Sequence, residues 1–329
     1  MPLAKAMAGL FAGLVAVAFG SASALAQADY PTRSITLIVP FAAGGPTDVI
    51  ARIVSNHMTA TLKQQIIIEN VVGAGGTTAT IRAARATPDG YTIEMGHMGT
   101  HAAAVPLYPN LAYNPSTDFE PIGMAAGTPV LILGKKDFPP KDLKEFITYV
   151  KANVATLNMA HAGVGSVSFT TCLLLNSLLN VKPTTIPYNG TGPAMNALIA
   201  SQVDYMCDQI VNVVPQIQGG TIKGYAIGTP ARNPALPDVP TAKEAGLPGF
   251  QAVAWNALFA PKGTPKPIID KLTAALNTAL DDDYTRKRLL DLGSEIPEGP
   301  ARGPQALAAL VKSEIAKWTP IIEAAGPIN

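Results

Sequence analysis

The 329-residue sequence predicts an α/β protein made of two doubly wound sheet domains. Three observations predict this class. Apolar strand-like segments alternate with segments of helical periodicity, glycine-rich turns follow several strands, and the pattern starts afresh near the middle of the chain. Strands separated by helices form parallel βαβ units, because a parallel pair needs a long crossover connection. A chain of this length is sufficient for two such domains.

The first unit shows the alternation most clearly. A buried strand is expected at residues 34–40, and apolar residues at helical spacing then predict a helix over 47–64. A second strand is expected at 66–70, a second helix over 77–86, and a third strand at 91–96.

The alternation resumes in a second unit after Thr117. Further strands are predicted at 129–134, 156–161, 184–188, 203–207, 223–228 and 254–260, and further helices at 141–154, 166–179, 193–201, 265–280, 283–292 and 304–325. The chain crosses between the units near 125–130 and again near 248–254, which places one unit inside the other. We therefore predict domain 1 from residues 27–127 and 251–329, with domain 2, residues 128–250, inserted between them.

The N-terminus has the features of a cleaved export signal. Lys5 supplies a positive charge, residues 7–19 are apolar, and Ala24-Leu25-Ala26 fits the small-x-small cleavage rule. An anchoring helix is the alternative, but the apolar run is shorter than the roughly 20 residues that span a bilayer. We expect cleavage after Ala26 and a mature periplasmic protein without a membrane anchor.

The charge balance excludes several partner classes. Loss of Lys5 with the leader leaves 23 basic residues against 23 acidic ones. A nucleic-acid partner requires a basic stripe, and a polybasic membrane surface requires clustered Lys and Arg. We therefore expect neither nucleic-acid binding nor electrostatic membrane binding.

The sequence contains two cysteines, Cys172 and Cys207. An oxidising compartment permits a disulfide between them. Two buried thiols, one on a helix and one on a strand, are the alternative. Their spacing alone leaves both open.

Two loops without long side chains suggest an anion site. "VPFAAGGPTD" (39–48) and "NVVGAGGTTA" (70–79) each lead from a strand into a helix N-terminus. Such a loop offers unpaired N–H groups and the positive end of the helix dipole, so it holds a carboxylate or phosphate without Arg or Lys. Three or four charge-assisted bonds of about 1.5–3 kcal/mol each, less the cost of ordering, allow micromolar affinity, about −8 kcal/mol. Tight turns that merely need glycine are the alternative, and neither loop matches a nucleotide-binding fingerprint.

Seven segments in order along the chain carry a family resemblance. They include "YPTRSITLIVPFAAGGPTDVIAR", "NVVGAGGTTA", "IPYNGTGPAMNALIASQVDYMCDQI" and "APKGTPKPIIDKL". These segments resemble the Bug family of extracytoplasmic solute receptors, the TctC-type binding proteins of tripartite tricarboxylate transporters. The resemblance implies a type II periplasmic-binding-protein fold, in which two domains joined by a hinge close on a small mono- or dicarboxylate. It also implies delivery by a monomer to TctA/TctB-type membrane subunits.

The resemblance also implies a set of ligand-binding residues. In the two glycine loops and the segment after the third strand these are Phe41, Ala42, Ala43, Gly44, Thr47, Asp48, Gly73, Ala74, Gly75, Gly76, Thr77 and Thr100. The inserted domain would add Gly165, Ser166, Ser168, Asn189, Thr191 and Asp208. Val164, Gln209 and the pair Thr77-Thr78 depart from the usual family residues at positions that affect specificity, so the resemblance does not identify the ligand.

Several weaker signals have two interpretations. Asp208 either contacts the ligand or caps a helix, and Phe41 either covers the ligand or fills the seam between the domains. His97 and His101, four residues apart, would need His161 or Glu94 to complete a metal site. Four arginines either clamp a carboxylate or lie in solvent, namely Arg33, Arg52, Arg82 and Arg85. We predict neither a metal nor a cofactor.

An exported hydrolase or transferase acting on acyl or phosphoryl compounds is the alternative function. It would need a nucleophile with a base, yet "GVGSVS" is not a Gly-x-Ser-x-Gly elbow. We therefore predict a binding protein and no catalytic residues.

Overall fold

A computed structural model describes residues 30–325. Nine strands are present: β1 Ile35–Val39, β2 Ile66–Asn70, β3 Thr92–His97, β4 Phe119–Lys135, β5 Asn158–His161, β6 Thr184–Pro187, β7 Tyr205–Gln209, β8 Ile222–Ile227 and β9 Val253–Pro261. Ten α-helices lie within the same described residues: α1 Pro46–Leu62, α2 Thr77–Ala84, α3 Ala104–Leu107, α4 Leu143–Asn153, α5 Val167–Leu179, α6 Thr191–Ile199, α7 Ile210–Gln218, α8 Lys266–Asp281, α9 Asp283–Asp291 and α10 Pro304–Ala324. The predicted leader, residues 1–26, lies outside the described residues.

The strands form one continuous sheet in the order β2-β1-β3-β9-β4-β7-β5-β6, with β8 also paired to β4. We call β2, β1, β3, β9 and the first part of β4 the first half-sheet. The second half-sheet contains β7, β8, β5, β6 and the rest of β4. The long strand β4 changes partners, because it pairs with β9 as far as Pro129 and with β7 from Val130 onward.

Strand direction is mixed, unlike the all-parallel units that the alternation indicated. β1 runs parallel to β2 and β3, and β5 runs parallel to β6 and β7. β4 is antiparallel to β7, β8 and β9, and β9 is antiparallel to β3. The reason is the chain path: β4 leads out of the first half-sheet, and β9 brings the chain back beside it. The predicted domain boundaries remain a prediction.

The sequence accounts for the elements around the cleft. Pro46 stands at the first position of α1, where its fixed φ and missing N–H cost nothing. The buried face of α1 presents Ile50, Val54 and Met58, each no more than 1% exposed, to the core beneath β1 and β3. Each such side chain contributes about 1.5–3 kcal/mol by leaving water. Because α1 is fixed in this way, its N-terminus is held at the carboxyl end of β1.

The two cysteines form a disulfide. Cys172 on α5 and Cys207 on β7 are both fully buried, with their Cα atoms 5.4 Å apart. The bridge therefore ties a helix of the second half-sheet to the strand on which it packs. Within residues 30–325, no helix combines the length and apolarity needed to cross a bilayer.

Candidate functional site

A small cavity lies between the two half-sheets. Its walls come from the carboxyl ends of strands or from the turns that follow them, which is where doubly wound sheets bind ligands. The lining residues are Phe41, residues 45–48, His97, Ala162, residues 166–168, Thr191 and Gln209. Both half-sheets therefore contribute to one site.

Three helix N-termini meet at this cavity. α1 and α6 have no side-chain cap, and Ser166 caps α5 by accepting from Phe169 N. The first N–H groups of a helix have no partner within it, so Thr47, Val167 and Thr191 are among the residues that present free donors here. The positive ends of three helix dipoles favour an anion at the same place.

The charge nearest the cavity is already paired. Asp48 accepts from Gly44 N at 3.0 Å, from Asn70 Nδ2 at 3.0 Å, and from Arg52 at 2.9 Å on each carboxylate oxygen. Burial works to raise the pKa of Asp48, but the hydrogen bonds from Arg52, Gly44 and Asn70 outweigh it and hold this pKa below its ordinary value. Asp48 thus lines the cavity but stabilises the loop, and Ala43 and Gly44 are exposed outside the cavity.

Two serines at the start of α5 form a compact donor group. Ser166 Oγ and Ser168 Oγ are 3.1 Å apart, and Ser168 Oγ accepts from Ala162 N at 2.9 Å. Each oxygen also accepts a backbone N–H, so one of the two hydroxyl protons bridges them and the other is free to donate. Ser166 has no histidine or carboxylate partner among the described residues, so it lacks the base that a nucleophile needs.

His97 lines the cavity, although the sequence suggested only a metal-ligand role for it. Burial lowers the pKa of His97 from 6.5 to about 3, so the ring is neutral at physiological pH. Its Nδ1 accepts from Gly99 N at 2.8 Å, which assigns the ring proton to Nε2. The ring of Phe41 stacks on it with centroids 5.1 Å apart. Its position at the carboxyl end of β3 was the signal available in the sequence.

The second glycine loop lies at an adjoining cavity that shares Phe41 and Ala162 with the first. Gly75 packs so closely on Val164 that a Cβ there would come within 1.6 Å of the Val164 carbonyl oxygen. Tyr108 Oη lies beside this contact, 2.7 Å from Val164 O and 3.1 Å from Ala74 O. This loop therefore meets the opposite half-sheet, and residues 73–76 do not line the first cavity.

A backbone bond closes the other side of the cleft. Ala42 N donates to Asn189 O at 3.0 Å, from the first loop to the turn before α6. Together with the contact of Gly75 on Val164, it shows that the two half-sheets touch over the cavity. The described arrangement is closed.

Four further predicted residues, Thr77, Thr100, Gly165 and Asp208, do not line the cavity. Thr77 Oγ1 donates to Ala74 O at 2.9 Å, and Thr100 Oγ1 bonds within its own turn, 3.3 Å from His97 O. Gly165 is buried beside Tyr108. Asp208 is fully buried and accepts from Gln209 N and Asn212 Nδ2 at the start of α7. Burial raises the pKa of Asp208 to about 7 despite these bonds.

The charged side chains and histidines suggested by the sequence do not line the cavity, apart from His97 and Asp48. Arg33 pairs with Asp89, and Arg82 pairs with Glu69. His101 Nε2 lies 4.0 Å from Glu94 Oε2 in the core beneath the site. Over residues 30–325, no group of three or more metal-ligating side chains is placed to hold an ion.

Residues 50–326 match the family described as the tripartite tricarboxylate transporter family receptor, TctC. The chain belongs to the TctC family. Three solved structures are similar to this TctC receptor. MatC from Rhodopseudomonas palustris with bound malate is 55% identical, with a TM-score of 0.88 over 89% of this chain and 100% of that one. The periplasmic binding protein BugD is 45% identical, with a TM-score of 0.88 over 90% and 99% of the two chains. An R. palustris protein with adipate is 32% identical, with a TM-score of 0.86 over 91% and 100%.

These comparisons confirm the predicted family and the two-domain periplasmic-binding-protein fold of this TctC receptor. They also confirm the prediction of a solute receptor at the level of the family, since TctC proteins form a receptor family. The individual ligand-binding residues remain predictions.

Proposed function

We propose that this TctC receptor captures a small organic mono- or dicarboxylate between its two domains and passes it to TctA/TctB-type membrane subunits. The observation that carries the proposal is the meeting of three helix N-termini at one cavity. Among the described residues no Lys or Arg lines that cavity, so the positive potential comes from peptide groups. The malate seen in MatC, 55% identical, supports the same ligand class here.

Donors on both sides of the cavity favour an acid with two anionic ends. α1 supplies donors from one half-sheet, and α5 and α6 supply them from the other. In this proposal a dicarboxylate places one carboxylate near α1 and the other near α5 and α6.

The mechanism is conformational. A ligand held by both domains stabilises the closed state only as far as that state binds it better than the open state. The hinge in this proposal is the change of partners in β4 near Thr128, together with the return crossing near Gly228 and Ala252. These positions correspond to domains of residues 27–127 with 251–329, and of residues 128–250. Cleavage after Ala26 would release the receptor as a monomer into the periplasm.

Isothermal titration of the mature protein tests this function. The panel contains L-malate, succinate and adipate, with glucose and Mg²⁺ as controls of other ligand classes. We expect at least one carboxylate to bind with micromolar affinity, by the magnitude of charge-assisted bonds. Binding of glucose or Mg²⁺ without any carboxylate would contradict the proposal.

A further inference from the structure

We propose that Gln209 determines ligand specificity by donating its side-chain amide to an oxygen of the bound acid. The proposal rests on the carboxylate-binding function above and assigns a ligand contact to a position at which the family resemblance implied only an effect on specificity. Gln209 ends β7, is 3% exposed and is one of the residues that line the cavity. It is a neutral donor from the second half-sheet.

A hydrogen-bond network fixes the orientation of this amide. Thr128 Oγ1 donates to Gln209 Oε1 at 2.7 Å, and Asn256 Nδ2 donates to the same oxygen at 3.0 Å. In this arrangement the carbonyl oxygen of Gln209 accepts from both side chains. The Nε2 group is therefore directed away from Thr128 and Asn256.

The Nε2 group has no partner within the protein. No described residue accepts a hydrogen bond from it, and it is not among the buried atoms sealed from solvent. Because Gln209 lines the cavity and its Nε2 has no partner in the protein, the proposal assigns Nε2 to the cavity side. A ligand carboxylate or hydroxyl oxygen satisfies this donor, whereas an ammonium group leaves it opposed by another donor.

The same network lies where the half-sheets join. Thr128 stands next to the point at which β4 exchanges β9 for β7, and Asn256 belongs to β9. The amide of Gln209, on the second half-sheet, is therefore held by two residues of the first half-sheet. Thr128 and Asn256 act as positioning residues, since both act through Gln209.

Two variants at one position test the donor. Gln209→Glu keeps the side-chain length and the oxygen that accepts from Thr128 and Asn256, and it replaces the donor with a second acceptor. Gln209→Met keeps the length without charge. We expect the L-malate Kd, measured by titration, to rise at least 10-fold in both variants. Gln305→Glu, an exposed change of the same kind on α10, should leave the Kd unchanged.

The outcomes separate this inference from the proposed function. If the wild-type protein binds none of the carboxylates in the panel, both proposals are wrong. If the wild type binds L-malate and Gln209→Met binds it equally well, only the Gln209 inference is wrong, and any loss in Gln209→Glu reflects charge alone.

A double-mutant cycle tests the positioning role. Thr128→Val should raise the L-malate Kd in the wild-type background by a few-fold. It should have no further effect on binding when combined with Gln209→Met, because its action passes through the amide. Equal effects of Thr128→Val in both backgrounds would show a merely structural role. Thermal melts of each variant without ligand control for lost folding.

Discussion

Replacement of Gly75 by alanine should prevent the cleft from closing without unfolding either domain. Gly75 has φ of +61°, in the left-handed region, and its hypothetical Cβ lies 1.6 Å from Val164 O of the opposite half-sheet. Protein Cβ atoms essentially never approach a neighbour within 3.0 Å, so the two half-sheets must separate here by about 1.4 Å. The clash exists only when the half-sheets meet.

The expected loss of affinity follows from the contacts that the opening removes. The Tyr108–Val164 bond of 2.7 Å breaks, at a cost of about 1 kcal/mol. One charge-assisted bond between ligand and protein weakens with it, at a cost of about 1.5–3 kcal/mol. The sum corresponds to a Kd for L-malate that rises about 100-fold or more.

Gly44→Ala provides a matched control. Gly44 has φ of +86° in the first glycine loop, and a Cβ there meets nothing within 4 Å. Both variants carry the backbone strain of a left-handed alanine, about 1–2 kcal/mol, so their melting temperatures in the absence of ligand should fall by similar amounts. Titration with L-malate should then separate them. Unchanged binding by Gly75→Ala would refute the argument that this glycine is required for closure.

Three further predictions concern other parts of the molecule. Tyr108→Phe removes the hydroxyl that bridges Ala74 and Val164, so the L-malate dissociation rate measured by stopped flow should rise about 3- to 10-fold. The exposed control Tyr284→Phe should not change this rate. Equal dissociation rates for wild type and Tyr108→Phe would contradict the bridge. The double variant Cys172→Ser, Cys207→Ser removes a cross-link over 35 residues and should lower the free energy of unfolding by about 3–4 kcal/mol in urea titration. An unchanged midpoint of urea unfolding would disprove the contribution of the disulfide to stability. Burial raises the pKa of Glu94 to about 8, so the contribution of this group to stability is full below about pH 4.5 and is lost as the pH rises through 8. Glu94→Gln should therefore flatten the fall in melting temperature between these pH values, whereas the exposed control Glu323→Gln should not. Parallel profiles of melting temperature against pH for wild type and Glu94→Gln would contradict the shift.

The periodic part of the fold was predictable from sequence. Apolar spacing located α1 and α5, and the predicted strands at 223–228 and 254–260 correspond to β8 and β9. The first part of β4 was missed, because Pro121, Gly123 and Gly127 interrupt it. Its pairing with β9 also shifts register between Pro121 and Gly123 and between Met124 and Ala126. Strand direction was missed as well, since it depends on how the chain returns beside β4.

The candidate site was predictable where the signal is local. A glycine loop before Pro46 indicates a helix N-terminus, and the structure places that N-terminus at the cavity. Gly75 carries the same local pattern, yet its packing on Val164 depends on a contact 89 positions along the chain that no local pattern contains. His97 resembles the ordinary end of a buried strand, and only the folded structure shows that it lines the cavity. The family resemblance marked Gln209 as a specificity position, but its hydrogen bonds to Thr128 and Asn256 depend on contacts between distant strands.

The pairing of Asp48 with Arg52 has a consequence for the environments in which the receptor works. Mobile salt screens separated surface charges over about 8–10 Å at physiological ionic strength. Short N–H contacts inside a closed cavity are screened far less, because no counterion fits between donor and acceptor. A receptor that holds its solute by peptide groups, with its nearest charges already neutralised, should retain affinity as the surrounding medium changes from dilute to saline.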